Sequence, residues 1–260
     1  MKTILVKIGG STVDAAGLLD EMGDSCAGIL AKGDYPVVVH GGGKDIARQL
    51  GLLNKEFTFV EGQRVTDAET MIAVQQVLSG DVNKRIVNRF LARNVECLGL
   101  SGVDSFLFEA ERLTVNGADI GFVGDIKTVR TGIIGLLKSH SIVPVVSPVS
   151  RDAAGNIYNV NADNAASELA IALRADDLIF ISDVPGVKVN GAVRKTIRIP
   201  EIETLIAEGH ITGGMIPKLR GAAEAIERGC GRVHISAWYG PHTLTNEMNL
   251  DTAQGTVIHV

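Results

Sequence analysis

Thr3-Ile4-Leu5-Val6-Lys7-Ile8-Gly9-Gly10-Ser11 and Tyr35-Pro36-Val37-Val38-Val39-His40-Gly41-Gly42-Gly43 are two short apolar runs that each end in glycines. Runs of this length, rich in β-branched residues, read as strands. Val37-Val38-Val39 has no polar alternation, so the second strand is expected to be buried on both faces. Between them, Leu18, Leu19, Met22, Ile29 and Leu30 form the apolar side of a helix expected over Ala15 to Lys32. Strand, helix and strand in this order is the crossover unit of a parallel α/β sheet. The glycine ends carry a second implication. Backbone N–H groups with no side chain in front of them make a ledge for an anion, and Lys7 sets an ammonium beside it on a rigid strand. Either glycine turn taken singly is better explained by turn geometry. The repetition, with a lysine, points to phosphate.

The same rhythm continues along the chain. Helices are expected over Lys44 to Leu52, Thr131 to His140, about Ala162 to Leu173, Ile202 to Glu208 and Lys218 to Arg228. Asp67 to Leu91 reads as one or two helices with a break near Gly80-Asp81. Strands are expected at Val95 to Leu100, Ile142 to Val146, Ile157 to Val160, Leu178 to Ile181, Val233 to Ser236 and Thr256 to Val260. Phe57 to Gln63 reads as a small hairpin or loop, and Phe106 to Val129, with Gly117, Gly121 and Gly124, as an antiparallel insertion. The expected architecture is a mostly parallel sheet with helices on both faces. No Pro/Ser linker or charge block separates domains, so two lobes joined near residue 175 are expected.

Composition narrows the functional classes. The chain has 260 residues, 45% hydrophobic and 21% charged, the balance of a globular protein with a sizeable core. A net charge of −5 argues against a nucleic-acid groove or a polybasic membrane patch. An acidic chain that binds an anion must gather its cations locally. Cys26, Cys97 and Cys230 are odd in number and widely spaced, and the histidines show no ligand spacing, so neither a disulfide framework nor a metal site is expected. The chain enters a strand at once and contains no apolar run near the roughly 20 residues that span a bilayer, so a cytoplasmic location is expected.

Common nucleotide motifs fail. Gly41-Gly42-Gly43-Lys44-Asp45-Ile46 lacks the Ser/Thr of a Walker loop, and Ile46 replaces the last glycine of a dinucleotide fingerprint. Other segments are more telling. Gly62-Gln63-Arg64-Val65-Thr66-Asp67 puts an arginine just before a helix capped by Thr66 or Asp67. By position alone Arg64 is a solvated side chain; its guanidinium also suits a bidentate clamp on a carboxylate. Asn159-Val160-Asn161-Ala162-Asp163-Asn164 gathers amides and an acid at a helix start. Capping accounts for one or two of them but not for Asn159, which sits in the preceding strand. Asp163 reads equally as a cap-region acid or as an anchor for nearby lysines. In Ile211-Thr212-Gly213-Gly214-Met215-Ile216-Pro217-Lys218, the lysine falls in a first helical turn, where the helix dipole disfavours a cation unless an anion is bound.

Together these segments resemble the amino acid kinase family. The resemblance runs through the whole chain in order: Lys7-Ile8-Gly9-Gly10, His40-Gly41-Gly42-Gly43, Arg64-Val65-Thr66, Asn159-Val160-Asn161-Ala162-Asp163, Ser182-Asp183-Val184-Pro185-Gly186, and Ile211 to Lys218. The first two and the aspartate motif are shared broadly in that family. Arg64-Val65-Thr66 with the Asn-Val-Asn-Ala-Asp run is narrower, and resembles the branch acting on acylated glutamate. Gln63 departs from the apolar residue expected before the arginine.

The resemblance implies a three-layer αβα sandwich. Residues 1–175 would form a lobe for the acyl-amino acid and for dimerisation, and residues 176–260 a lobe for ATP. The implied reaction is phosphorylation of the γ-carboxylate of N-acetyl-L-glutamate by ATP, a step of arginine biosynthesis, with Mg²⁺ held mainly by the nucleotide phosphates. By motif, Lys7 and Lys218 would stabilise the transferring phosphoryl group, with Asp163 organising both. Gly10, Gly42 and Gly43 would offer N–H groups, and Arg64 and Asn159 would bind the acylated glutamate. Asp183, Val184, Pro185, Gly186, Val187 and Lys188, with His210, Ile211 and Thr212, would contact the nucleotide.

Two alternatives stand beside this reading: a kinase of another acyl-amino acid, such as N-succinylglutamate or a carrier-linked aminoadipate, and a non-catalytic amino-acid sensor. Retention of Lys7, Asp163 and Lys218 together speaks against the sensor. With the first strand starting at Thr3, no linking N-terminal helix is expected, and with it an arginine-insensitive homodimer.

Overall fold

The structure is a computed structural model that describes residues 1–9 and 17–260. Its central sheet has eight strands: β1 (Thr3–Ile8), β2 (Tyr35–His40), β3 (Cys97–Ser101), β4 (Val143–Ser147), β5 (Asp177–Ile181), β6 (Thr196–Arg198), β7 (Arg232–Ser236) and β8 (Thr256–His259). Their order across the sheet is β6-β8-β7-β5-β1-β2-β4-β3, with β7 and β8 antiparallel and every other pair parallel. Strands from before residue 175 lie from β1 outward on one side, and later strands from β5 outward on the other. The chain leaves β1 toward β2 and returns on its opposite flank as β5. Such a reversal opens a crevice at the carboxyl ends of the strands, where ligands bind in open α/β sheets.

The helices are α1 (Leu18–Ala31), α2 (Gly43–Leu52), α3 (Ala68–Gln75), α4 (Asn83–Leu91), α5 (Gly132–Ser139), α6 (Ala162–Leu173), α7 (Ile202–Ala207), α8 (Met215–Glu227) and α9 (Thr243–Glu247). Period-two alternation distributes them over two layers. Leu5, Val37, Val39, Leu178 and Phe180 share one core with Leu169 of α6 and Leu219 of α8. Ile8, Val38 and Val145 share another with Met22 of α1, Leu50 of α2 and Phe90 of α4. The three-layer sandwich follows, and so does the double-sided burial of Val37-Val38-Val39. Alternation also places Lys7, two residues beyond Leu5, on the face covered by α6. That single period decides which helix the lysine meets.

Three details correct or complete the expected elements. The segment from Ala68 to Leu91 does not break at Gly80-Asp81; it runs on through a π-helical stretch, Gln76–Val82. Gly80 costs about 1 kcal/mol in a helix, and Val77, Leu78, Val82 and Ile86 around it are all buried, each contributing about 1.5–3 kcal/mol. Burial wins, and the wider π turn absorbs the mismatch. Next, the insertion is an antiparallel pair, Phe108–Val115 with Ala118–Val129, turned by Asn116-Gly117, both at positive φ. It closes with Ser150–Arg151 and Ile157–Val160 into a four-stranded barrel that the alternation did not announce. Finally, β6 and α9 were not among the expected elements. The expected beginning of α1 at Ala15 lies outside the described residues.

One glycine ties the barrel to the crevice. Gly121 has φ +82°, and a Cβ there would lie 2.1 Å from the Thr66 carbonyl oxygen. That close approach lets the Thr66 N–H bond the Ile120 carbonyl at 3.0 Å and the Phe122 N–H bond the Thr66 carbonyl at 2.6 Å. The loop carrying Arg64 is thereby clamped to the barrel.

Candidate functional site

Lys7, Asp163 and Lys218 come from three distant segments and converge. Asn161 caps α6 by accepting from the Asp163 and Asn164 N–H groups at 2.8 and 3.3 Å, which fixes Asp163 in the first turn. Lys7 Nζ lies 2.7 Å from Asp163 Oδ1, and Lys218 Nζ lies 3.6 Å from Oδ2. The Lys218 ammonium also rests over the Phe180 ring, 5.5 Å from its centroid. Burial pushes the Asp163 carboxyl up, but the charges of Lys7 and Lys218 outweigh it and hold the group below the usual carboxylate range. The side chains of Lys7 and Lys218 are 13% and 21% exposed, so both ammonium groups work in a largely dry setting. Local positive charge is concentrated here in an otherwise acidic chain.

A cavity of about 570 Å³ opens beside this cluster. Lys7, Gly42, Gly43, Arg64, Asn159 and Asp163 all line it. Arg64 enters from a short hairpin, Phe59–Val60 with Gln63–Arg64. Its guanidinium stacks on Phe57 and Phe59, 4.1 and 4.8 Å from the ring centroids, and Nη2 donates to the Gly43 carbonyl at 3.2 Å. Nη1 is buried with no protein partner among the described residues. Burial pulls the guanidinium below its ordinary pKa, and such a group needs an anion. Arg64 is only 8% exposed, so the reading of it as a solvated side chain is excluded. Asp67, rather than Thr66, caps α3, accepting from the Thr70 N–H at 2.8 Å. Thr66 instead donates to the Arg64 carbonyl at 2.7 Å and accepts from Asn159 Nδ2 at 3.2 Å. That chain of hydrogen bonds links the two residues expected to bind one ligand.

A second cavity, of about 420 Å³, is lined by Asp183, Val184, Pro185, Gly186, Val187, Lys188, His210, Ile211 and Thr212. Asp183 lines both cavities, so they adjoin. Gly186 is required here: at φ +152° a Cβ would lie 2.8 Å from Thr256 Oγ1, which accepts the Val187 N–H. Lys218 does not line the first cavity. It faces a third, of about 580 Å³, and meets the site through Asp163. Gly10 lies outside the described residues.

Phe57 and Phe59 were missed as partners of Arg64. Their signal was present: two aromatics at alternate positions of a hairpin, ahead of an arginine. Among the described residues no three His, Cys, Asp or Glu side chains converge as a metal site, and no helix is long and apolar enough to cross a membrane.

Comparison with known proteins gives the family and the fold. A family model described as the amino acid kinase family matches residues 2–236. An acetylglutamate kinase of Brachyspira hyodysenteriae is 37% identical over 262 residues, covering 99% of this chain and 91% of the relative. One of Archaeoglobus fulgidus is 38% identical over 268 residues, covering 98% and 92%. Among solved structures, an N-acetylglutamate synthase of Neisseria gonorrhoeae, complexed with coenzyme A and N-acetyl-glutamate, superposes with a TM-score of 0.88 at 21% identity. All of this chain is covered there, but it spans only 59% of that protein, and the likeness is one of fold.

Proposed function

Since the chain belongs to the amino acid kinase family, we propose that it transfers the γ-phosphoryl group of ATP to the γ-carboxylate of N-acetyl-L-glutamate. The product is N-acetyl-glutamyl 5-phosphate, an intermediate of arginine biosynthesis. Relatives at 37–38% identity over nearly the full length carry the name acetylglutamate kinase. The observation that carries the reading is Lys7 and Lys218 held on Asp163 at a cavity that also presents the buried, half-unpartnered Arg64.

In this reading the acyl-amino acid occupies the first cavity, with Arg64 and Asn159 on its carboxylate end. The nucleotide occupies the second, against Asp183 to Lys188 and His210 to Thr212. Residues 1–175 then serve the acyl-amino acid and residues 176–260 the nucleotide. A γ-carboxylate oxygen attacks the γ-phosphorus in line, the bond to the β,γ-bridging oxygen breaks, and its electron pair leaves on ADP. The carboxylate is already ionised at neutral pH, so no general base is needed. What remains is positioning and charge neutralisation. Lys7 and Lys218 would meet the phosphoryl oxygens, and Gly10, Gly42 and Gly43 would offer N–H groups. Asp163 holds the two ammonium groups at fixed separation instead of letting them repel. Mg²⁺ would travel with ATP, ligated by phosphate oxygens and water. No protein cage of carboxylates is needed for it.

Trapping with hydroxylamine tests this. We expect an N-acetylglutamate-dependent hydroxamate from ATP, and much less from N-succinylglutamate. Protein that binds ATP yet forms no hydroxamate with any acyl-glutamate would sink the reading, and the sensor would take its place.

A cytoplasmic homodimer belongs to the same proposal. β3 is an edge strand, and Leu98 on it and Leu91 at the end of α4 are exposed. An open edge with apolar neighbours invites a second copy. Light scattering should give about twice the 27.5 kDa of one chain; a monomer mass at micromolar concentration would refute it.

A further inference from the structure

We infer that His40 is a positioning residue: its imidazole locks the Gly41–Gly42 peptide so that the Gly42 N–H is held toward the cavity where phosphoryl transfer is proposed. The inference rests on the phosphotransfer reading above for its consequence, though not for its geometry.

His40 ends β2 and is fully buried. Its Nδ1 lies 2.9 Å from the Gly41 carbonyl oxygen, and its Nε2 lies 3.1 Å from Asn83 Nδ2. The tautomer is fixed by what surrounds Asn83. The same Nδ2 faces the carbonyls of Val145 at 2.9 Å and Leu100 at 3.3 Å, so that end of the amide is the donor, its two hydrogens shared among these carbonyls and the imidazole. His40 Nε2 must therefore accept, Nδ1 must carry the proton, and Nδ1 donates to Gly41. Burial pushes the imidazole down to about 4, which keeps this neutral form through the working pH range.

In a trans peptide the C=O of one residue and the N–H of the next point in opposite directions. Anchoring the Gly41 carbonyl therefore sets the direction of the Gly42 N–H. The next two carbonyls are anchored as well: Gly42 by the Ile46 N–H at 2.9 Å, and Gly43 by Arg64 Nη2 at 3.2 Å. The first N–H groups of α2 have no partner within the helix, so the three anchored carbonyls leave the opposite edges of their peptides free of backbone partners among the described residues. Glycine is the most mobile backbone, and a flipped peptide would show a carbonyl oxygen to an incoming phosphate. An alanine at Gly42 would set a Cβ 2.6 Å from Leu78 Cδ2 and 3.2 Å from Val82 Cγ2, so stiffening the ledge that way would displace two buried side chains. Rigidity has to come from outside the ledge, and His40 supplies it, braced by Asn83 from the far side.

The test uses glycine labelled with ¹³C at the carbonyl and with ¹⁵N. The chain has only the Gly9–Gly10, Gly41–Gly42, Gly42–Gly43 and Gly213–Gly214 peptides that join two glycines, so a carbonyl–amide correlation isolates them. His40→Leu removes the donor; His40→Asn retains one at the δ position. In His40→Leu the Gly41–Gly42 cross-peak should shift and split or broaden while Gly213–Gly214 stays. With it, kcat should fall about tenfold to a hundredfold, a part of what losing such a donor outright costs, with little change in either KM. His40→Asn should restore both readouts for the most part. An unmoved cross-peak, an unchanged kcat, or an Asn variant as impaired as the Leu variant would overturn the inference and leave His40 a packing residue. A wild-type protein without phosphotransfer would overturn the functional reading alone, since the cross-peak needs no substrate. If His40→Leu does not fold, Asn83→Ser loosens the imidazole from behind, and the same two readouts should move the same way by less; their constancy would count against the anchor.

Discussion

Lys7→Ala and Lys218→Ala should each lower kcat by about a hundred- to a thousandfold, with KM for N-acetyl-L-glutamate nearly unchanged. Charge on the phosphoryl oxygens spreads in the transition state, and losing one preorganised donor there typically costs about 3–4 kcal/mol. Both ammonium groups sit on one carboxylate, at 2.7 and 3.6 Å, so the double variant should lose less than the product of the two singles. The shared partner gives a second readout. Asp163 is held low because two lysines outweigh burial. With Lys7 gone, burial counts for more and the folded-state pKa rises. Any activity that depends on ionised Asp163 is present above that pKa and lost as pH falls through it, so the acid limb of the kcat profile should move to higher pH in the variant. Steady-state kinetics across acid pH checks both parts. A raised KM with kcat intact would mean that the lysines bind the ground state only.

Arg64→Ala should act in the opposite column. The ligand carboxylate proposed for Arg64 is the α-carboxylate, which does not react and is charged in ground state and transition state alike, so its loss is uniform binding and shows in KM. Truncating one side of a buried, hydrogen-bonded charge pair costs about 2–4 kcal/mol, roughly thirty- to a thousandfold in KM for the acyl-amino acid. Arg64→Lys should recover little. A lysine is a point charge, and it can neither span the Gly43 carbonyl and a ligand at once nor stack flat against Phe57 and Phe59 as the guanidinium does. KM for ATP should stay near its wild-type value, because Arg64 does not line the second cavity. A fall in kcat with KM for the acyl-amino acid unchanged would remove Arg64 from substrate binding.

Much of this was legible along the chain because the signals are local. Val37-Val38-Val39 is apolar at consecutive positions, and each layer claims its own side chains from it. The glycine ends, the capping acid Asp67 and the Asn161 cap are read within four residues of themselves. The family resemblance pointed to Arg64 and Asn159 together, and both line one cavity. Other features gave no local trace. Gly80-Asp81 carries the composition of a helix break, yet the helix continues, since what decides is the burial of Leu78 and Val82 against elements far away in sequence. Barrel closure depends on Ser150–Arg151, two residues too few to show a period.

The sequence by itself determined most of the elements, the layered architecture and the family, because period, glycine placement and motif order are properties of short stretches. Only the tertiary structure decided how closely Lys7 and Lys218 approach the Asp163 carboxylate that the resemblance had paired with them, that Arg64 is stacked, buried and half-unpartnered, and that His40 faces the ledge carbonyl. The physical reason is that a side chain's partner is set by which strands become neighbours, and that choice is made by burying both faces of the whole sheet at once. A lysine two residues beyond Leu5 knows its face from the alternation. It learns its partner from where α6 begins.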